Sequence, residues 1–285
     1  MKTWTVLDLV EWTENYFRES GIIATPRLDA EVLLGFVLQK SRLQLYLSFE
    51  MPVFPDHLSV FRQLVQRRKE HTPVSYLTNH REFMSIDFYV DSRVLIPRPE
   101  TEILVEYVLD RTSTHGPISL VDIGTGSGAI AVSLAFNRPE WYIVATDISI
   151  DALAVAKTNA TRHQTQIEFR SGDMLSTLES VDDKFDWIVS NPPYISSQDY
   201  KILPPDVRNF EPKLALASPP DGLQLIRILI ESAPNYLKPN GRLAIEIGKG
   251  QRLDVEDFVH RSKKYQKIDF IPDLSGVARI LVVQV

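Results

Sequence analysis

Apolar positions in roughly the first 80 residues recur three and four apart with charged residues between them, the spacing of one helix face. TVLDLVEWTENYFRES predicts an amphipathic helix that stops at Gly21, a residue suited to the left-handed position after a helix end. TPRLDAEVLLGFVLQ predicts a second helix, with Thr25 as N-cap and Pro26 at the first helical position. PDHLSVFRQLVQRRKE predicts another, and its RRK run reads as a solvated helix end or as a binding patch. The pattern then changes. REFMSIDFYVDSRVLI is rich in β-branched and aromatic residues with partial alternation, and it predicts a small hairpin linking two domains.

From about residue 93, apolar runs of strand length alternate with helical segments. ISLVDIG, WYIVATDI, QIEFRSGD, FDWIVSN and RLAIEIG predict five strands. AIAVSLAFN, DALAVAKTNATR and LQLIRILIESAPNYL predict helices, the last ending near KPNG. The tail YQKIDFIPDLSGVARILVVQV holds two more strands around a Pro/Asp/Gly turn, with no helix between them, so a terminal antiparallel pair is expected. Repeated β–α units imply an α/β fold with a doubly wound, Rossmann-like parallel sheet behind a small N-terminal helical domain. The expected boundaries are 1–80 for the helical domain, 81–92 for a hairpin linker and 93–285 for the sheet domain.

Length and composition agree with two ordinary globular domains: 285 residues, 44% hydrophobic and 24% charged. The formal charge of -6, from 31 Lys plus Arg against 37 Asp plus Glu, argues against coating nucleic acid. Cysteine is absent, which excludes disulfides, thiolate nucleophiles and Cys-ligated metals; no metal site is expected. Neither an N-terminal leader nor an apolar run of membrane-spanning length is expected, so the expected setting is the cytoplasm, without membrane or DNA partners and as a monomer.

Candidate chemistry begins at VDIGTGSGAI. Gly124, Gly126 and Gly128, with Thr125 and Ser127 between them, lie between a predicted strand and a predicted helix, where glycines permit a tight turn and close approach of a ligand. With Ala129 the run satisfies the relaxed dinucleotide pattern. Asp147, followed by Ile148, ends the second strand, where a carboxylate can accept both hydroxyls of a ribose. A nicotinamide enzyme and a methyltransferase share this architecture, and a ligand-free strand–helix turn is the plainer alternative. Two acids favour S-adenosylmethionine. Asp122 precedes the loop, near where an ammonium group needs neutralising, and Asp173 ends the third strand, within reach of an adenine amino group.

VSNPPYISS then places Asn191, Pro192, Pro193 and Tyr194 after the fourth strand. Residues before proline are pushed to extended backbone, so Asn191 projects past the sheet edge, where open α/β sheets bind ligands. A planar amide or exocyclic amine is a poor nucleophile. The Asn191 side-chain oxygen and the Pro192 carbonyl can accept hydrogen bonds from its NH2, Pro193 stiffens the loop, and the Tyr194 ring can pack on a flat substrate group.

The glycine loop, NPPYI, the upstream LIPRPETE and the downstream EPKLAL and DGL together resemble the protein-glutamine N5-methyltransferases, above all the release-factor branch known as PrmC or HemK. The resemblance spans nearly the whole chain. It implies a class I methyltransferase that modifies the glutamine of the Gly-Gly-Gln loop of class I peptide chain release factors. It further implies that Gly124 to Gly128 hold the methionine part of S-adenosylmethionine and Asp147 its ribose, with Ile148 beside it. Asp173 and Met174 flank the adenine, and Asn191 to Tyr194 hold the substrate glutamine. Pro97, Arg98, Glu100 and Thr101 shape the pocket. Read without the family, RPETE is a helix start whose acids favour the dipole, and Glu211 with Pro212 is a loop anchor. Arg279 is expected to pair with a nearby acid.

Three rivals remain open on these residues. An N6-adenine DNA methyltransferase shares NPPY but needs a basic groove and a target-recognition region. A methyltransferase acting on a glutamine of a large-subunit ribosomal protein shares the whole active-site motif. A module that binds S-adenosylmethionine without catalysis would not need an intact NPPY.

Overall fold

The computed structural model describes residues 3–22, 24–112, 116–178 and 184–285. They form two compact units: Met1–His80 together with Pro204–Phe210, and Arg81–Leu203 together with Glu211–Val285.

The first unit is helical: α1 (Val6–Glu19), α2 (Pro26–Leu38), α3 (Arg42–Tyr46), α4 (Pro55–Lys69) and α5 (Val74–Thr78). Thr5 and Asp8 form a reciprocal capping box at the start of α1, which satisfies two N–H groups that the helix cannot. Val6, Leu9, Val10, Thr13 and Phe17 make its buried stripe, and Gly21 takes a φ of +86° just past its end. Thr25 differs from expectation. It precedes α2 but makes no capping bond to backbone; its hydroxyl donates to Asp29 Oδ1 at 2.8 Å. Asp29 in turn accepts from Arg68 Nε at 2.7 Å inside the unit. The middle arginine of the RRK run is therefore a buried half of an ion pair rather than a solvated helix end, because only a partnered charge survives removal from water.

The second unit opens with a hairpin, β1 (Arg81–Phe83) and β2 (Ile86–Phe88), turning through Met84 and Ser85, both at positive φ. The strands are shorter than predicted, and the chain from Val90 to Arg98 is irregular. After α6 (Pro99–Arg111) comes the alternation: β3 (Ser119–Ile123), α7 (Ala129–Asn137), β4 (Tyr142–Asp147), α8 (Ile150–Arg162), β5 (Glu168–Ser171) and β6 (Phe185–Ser190). Three short turns follow, α9 (Asp199–Ile202), α10 (Pro205–Phe210) and α11 (Lys213–Leu216), of which α10 belongs to the first unit. The chain closes with α12 (Gln224–Ser232), β7 (Leu237–Glu246), α13 (Arg252–Ser262), β8 (Lys267–Pro272) and β9 (Ala278–Gln284).

The seven strands lie in the order β5-β4-β3-β6-β7-β9-β8. The first five are parallel, and β9 inserts antiparallel between β7 and β8. The terminal antiparallel pair expected from the tail is thus present. KPNG, near which the preceding helix is expected to end, lies beyond α12 and within β7. It is a bulge inside that strand, where Phe185 pairs with Leu237 and Trp187 with Arg242, and Asn240 absorbs a positive φ. The core is the buried face of β3, β6, β7 and β9 against α12 and α13, including Val121, Ile188, Leu243, Ile226 and Val255. β4 and β6 flank β3 on opposite sides, so the strand order reverses there and opens a crevice beyond the carboxyl ends of β3 and β6. No helix among the described residues is long and apolar enough to cross a membrane.

Candidate active site

Beyond Ile123 the chain turns through Gly124, Gly126 and Gly128 at φ of +72°, +57° and +80°. A Cβ at Gly124 or Gly126 would meet nothing, so these two are required by backbone conformation, whereas a Cβ at Gly128 would also crowd the Ala156 methyl at 3.2 Å. Thr146 O accepts from the N–H groups of both Gly124 and Thr125 at 2.9 Å, which ties the loop to β4. Asp147 completes the clamp: Oδ2 accepts from Gly126 N at 2.9 Å and Oδ1 from Ser149 N at 2.8 Å. Burial raises its pKa, and these backbone donors oppose the rise.

Asp122 lies beneath this loop. It is fully buried, with Oδ2 accepting from Thr125 Oγ1 at 2.7 Å. Burial pushes its pKa up to about 7, the Thr125 hydroxyl and Ala131 amide pull it back, and Asp147 adds repulsion.

The LIPRPETE segment is held from the far side. Glu211, buried, accepts from Ile96 N at 3.2 Å and from Arg98 Nη2 at 2.7 Å. The loop-anchor reading of Glu211 therefore describes its contacts. Arg98 starts α6, and Thr101 in the first turn donates to Glu246 Oε2 at 2.6 Å. Asn191 Nδ2 donates to Thr101 Oγ1 at 3.0 Å, and Tyr194 Oη donates to Glu246 Oε1 at 2.9 Å. Glu246 is 1% exposed, and burial raises its pKa; burial and the facing carboxylate raise that of Tyr194 as well.

The NPPY loop is braced along its length. Ser190 Oγ donates to Ile123 O at 2.7 Å, which joins the ends of β6 and β3. Gln251 Nε2 donates to Tyr194 O at 3.0 Å and to Gly222 O at 3.2 Å, while its Oε1 accepts from Gly248 N. Ile195 exchanges backbone hydrogen bonds with Leu216 and Ser218, so the EPKLAL segment backs NPPYI directly.

A cavity of about 360 Å³ occupies the crevice. Its wall contains Pro97, Arg98, Thr101, Gly124, Thr125, Gly126, Ser127, Asp147, Ile148, Asp173, Met174, Asn191 and Pro193. Five residues expected at the site lie outside that wall: Glu100, Asp122, Gly128, Pro192 and Tyr194. Asp122 and Gly128 support the loop from below. Tyr194 differs most from expectation, since its hydroxyl bonds to Glu246 and its ring packs on the apolar core, in place of a stacking platform. Glu246, Gln251 and Ser190 were not singled out by sequence reasoning. The signal for Glu246 was present: a lone carboxylate in the apolar run RLAIEIG needs a partner. Arg279 pairs with Asp273 at 2.9 Å.

The donor set suits S-adenosylmethionine. The volume is that of a small-molecule site. Asp147 presents a carboxylate at the second strand end, glycine backbone lies open to the cavity, and Ile148 and Met174 offer apolar faces for a flat base. The sheet, five parallel strands with β9 inserted antiparallel between β7 and β8, is that of a class I methyltransferase. Comparison with known proteins agrees. Residues 8–78 match the PrmC N-terminal domain and residues 99–203 the methyltransferase small domain. A release factor glutamine methyltransferase of Rhodopirellula baltica is 42% identical over 99% of this chain and 96% of its own length. That of Geobacter sulfurreducens is 41% identical over 87% of this chain and 86% of its own. The crystal structure of a methyltransferase from Pyrococcus furiosus, 18% identical, superposes with a TM-score of 0.51 over 81% of this chain and 98% of that one, a likeness of fold. The chain belongs to the release factor glutamine methyltransferase family.

Proposed function

We propose that the protein transfers the methyl group of S-adenosylmethionine to the side-chain amide nitrogen, N5, of the glutamine in the Gly-Gly-Gln loop of a class I release factor. The observation that carries this reading is the Asn191 carboxamide. It stands in the cavity wall with Nδ2 engaged by Thr101, and among the described residues no donor meets Oδ1. An unpaired acceptor there matches the NH2 of a substrate amide.

When bound, the cofactor would supply an electrophilic methyl, whose bond to the sulfonium sulfur would be exchanged for one to the substrate nitrogen, the sulfur keeping the electron pair and water taking the displaced proton. The protein's part is placement and electrostatics. Glycine-loop backbone and Asp147 fix the cofactor's position, and Asn191 Oδ1 with the Pro192 carbonyl holds the substrate NH2. Holding the nitrogen in line contributes on the order of several kcal/mol. Acceptor oxygens beside it stabilise the positive charge it gains on transfer. Tyr194 acts through Glu246 as a brace.

The helical unit serves recognition of the factor away from the loop, and residues 81 onward carry the chemistry. The protein works as a monomer, and work on a translation factor is work in the cytoplasm. The test is incubation with labelled S-adenosylmethionine and, in parallel, a class I release factor, large-subunit ribosomal proteins and DNA. Label on the release factor supports the reading. Label on a ribosomal protein alone moves the activity to the sister substrate, and label on DNA alone refutes a protein substrate.

A further inference from the structure

We infer that Thr101 and Glu246 form a positioning relay that decides which end of the Asn191 carboxamide faces the substrate. The inference rests on the methyl-transfer reading above and deepens it. The three residues come from separate elements: Thr101 from the first turn of α6, Glu246 from the last position of β7, and Asn191 from the residue after β6.

A carboxylate has no proton to give, so both Glu246 oxygens accept, Oε2 from Thr101 and Oε1 from Tyr194. The Thr101 hydroxyl has a single proton, and the 2.6 Å bond to Glu246 uses it. Towards Asn191 the hydroxyl therefore presents only lone pairs, and the group 3.0 Å away has to be NH2. Oδ1, on the other limb of the planar carboxamide, is left to accept from a ligand. The two ends of a side-chain amide are nearly the same size, so shape alone does not choose between them. A reversed Asn191 would present NH2 to the substrate NH2. Thr101 and Glu246 are 4% and 1% exposed, so water does not compete for the relay. Burial raises the pKa of Glu246, against the ionised form that the relay needs; the hydrogen bonds from Thr101 and Tyr194 and the charge of Arg279 favour that form, and Glu100 opposes it.

The test compares Thr101→Val, which keeps the shape and removes the hydroxyl, with Thr101→Ser, which keeps the hydroxyl. Thr101→Val should lower kcat about 10- to 100-fold, as expected for a lost charge-stabilising acceptor. Thr101→Ser should recover kcat to within about threefold of the parent, and the Kd for S-adenosylmethionine should change less than about threefold in both. The second readout needs no substrate. In the ligand-free protein, the side-chain amide protons of Asn191, assigned by their loss in Asn191→Ala, should exchange slowly in the parent and in Thr101→Ser and rapidly in Thr101→Val. Retention of kcat by Thr101→Val overturns the relay, as does an equal loss in both variants. If no glutamine is methylated at all, the functional reading fails, and amide exchange still decides the relay: slow exchange lost only in Thr101→Val upholds it, and unchanged exchange overturns it.

Discussion

Gly222, the glycine of the DGL motif, lies outside the cavity wall yet should control the rate. Its φ is +82°, and a Cβ there would sit 2.3 Å from the Tyr194 carbonyl oxygen and 2.9 Å from Gln251 Nε2. A carbon and an oxygen normally approach no closer than about 3.2 Å, so Gly222→Ala has to push the Tyr194 carbonyl outward by roughly 1 Å or break its bond to Gln251. The left-handed backbone costs alanine about 1–2 kcal/mol and the overpacking about 1–3 kcal/mol, roughly 2–5 kcal/mol together. At about 2–4 °C per kcal/mol, the unfolding midpoint should fall by roughly 4–20 °C. The larger consequence is kinetic. Asn191 is three residues from the displaced carbonyl, and a misplacement of about 1 Å at a reacting group costs up to about 100-fold in rate. Assayed well below its midpoint, Gly222→Ala should lose kcat by about one to two orders of magnitude while its affinity for S-adenosylmethionine, measured by calorimetry, changes less than about threefold. A folded variant with kcat within twofold of the parent would refute the claim that this brace positions the amide-holding loop.

On the proposal that its amide holds the substrate, Asn191→Ala should lower kcat about 100-fold or more and leave cofactor affinity within a few-fold; calorimetry showing abolished cofactor binding in a folded variant would reverse that division of roles. Asp122 has its folded pKa raised to about 7 from an ordinary 3.8, so its proton stabilises the fold at low pH and that contribution is lost as pH rises through about 7. The ligand-free Asp122→Asn variant should therefore be more stable than the parent at pH 8, with the gap closing towards pH 4; a gap independent of pH in denaturant titrations would contradict this. Met84 and Ser85 hold φ of +51° and +58° in a two-residue hairpin turn that favours Asn-Gly. Met84→Asn with Ser85→Gly should raise the unfolding midpoint by a few degrees, worth about 1 kcal/mol, with kcat unchanged; a lowered midpoint would count against the turn assignment.

The alternation of strands and helices was legible because buried parallel strands read as apolar runs, as in ISLVDIG and FDWIVSN, and because glycine and paired prolines punctuate them. The helix α13 was not. Its sequence RLDVEDFVHRS buries only Val255 and Val259, too sparse a stripe to stand out beside neighbouring strands. KPNG carries turn residues, yet strand pairing on both sides absorbs it as a bulge, a tertiary effect that local chemistry cannot reveal. At the site, the residues that face the cavity were largely visible as motifs. Their supports were not, since Glu246, Gln251 and Ser190 act on partners far away in sequence: 145 positions separate Thr101 from Glu246. Tyr194 illustrates the same limit, as a ring beside a proline pair reads as a stacking surface until its hydroxyl partner is known.

Locating the transferred methyl group decides whether this protein modifies the Gly-Gly-Gln glutamine. A class I release factor incubated with the protein and S-adenosylmethionine would be digested, and the peptide containing the Gly-Gly-Gln loop fragmented by mass spectrometry. The expected result is one added methyl on the glutamine side chain, and none on a release factor carrying alanine in place of that glutamine. A methyl on any other residue of that peptide, or undiminished methylation of the alanine variant, would contradict it.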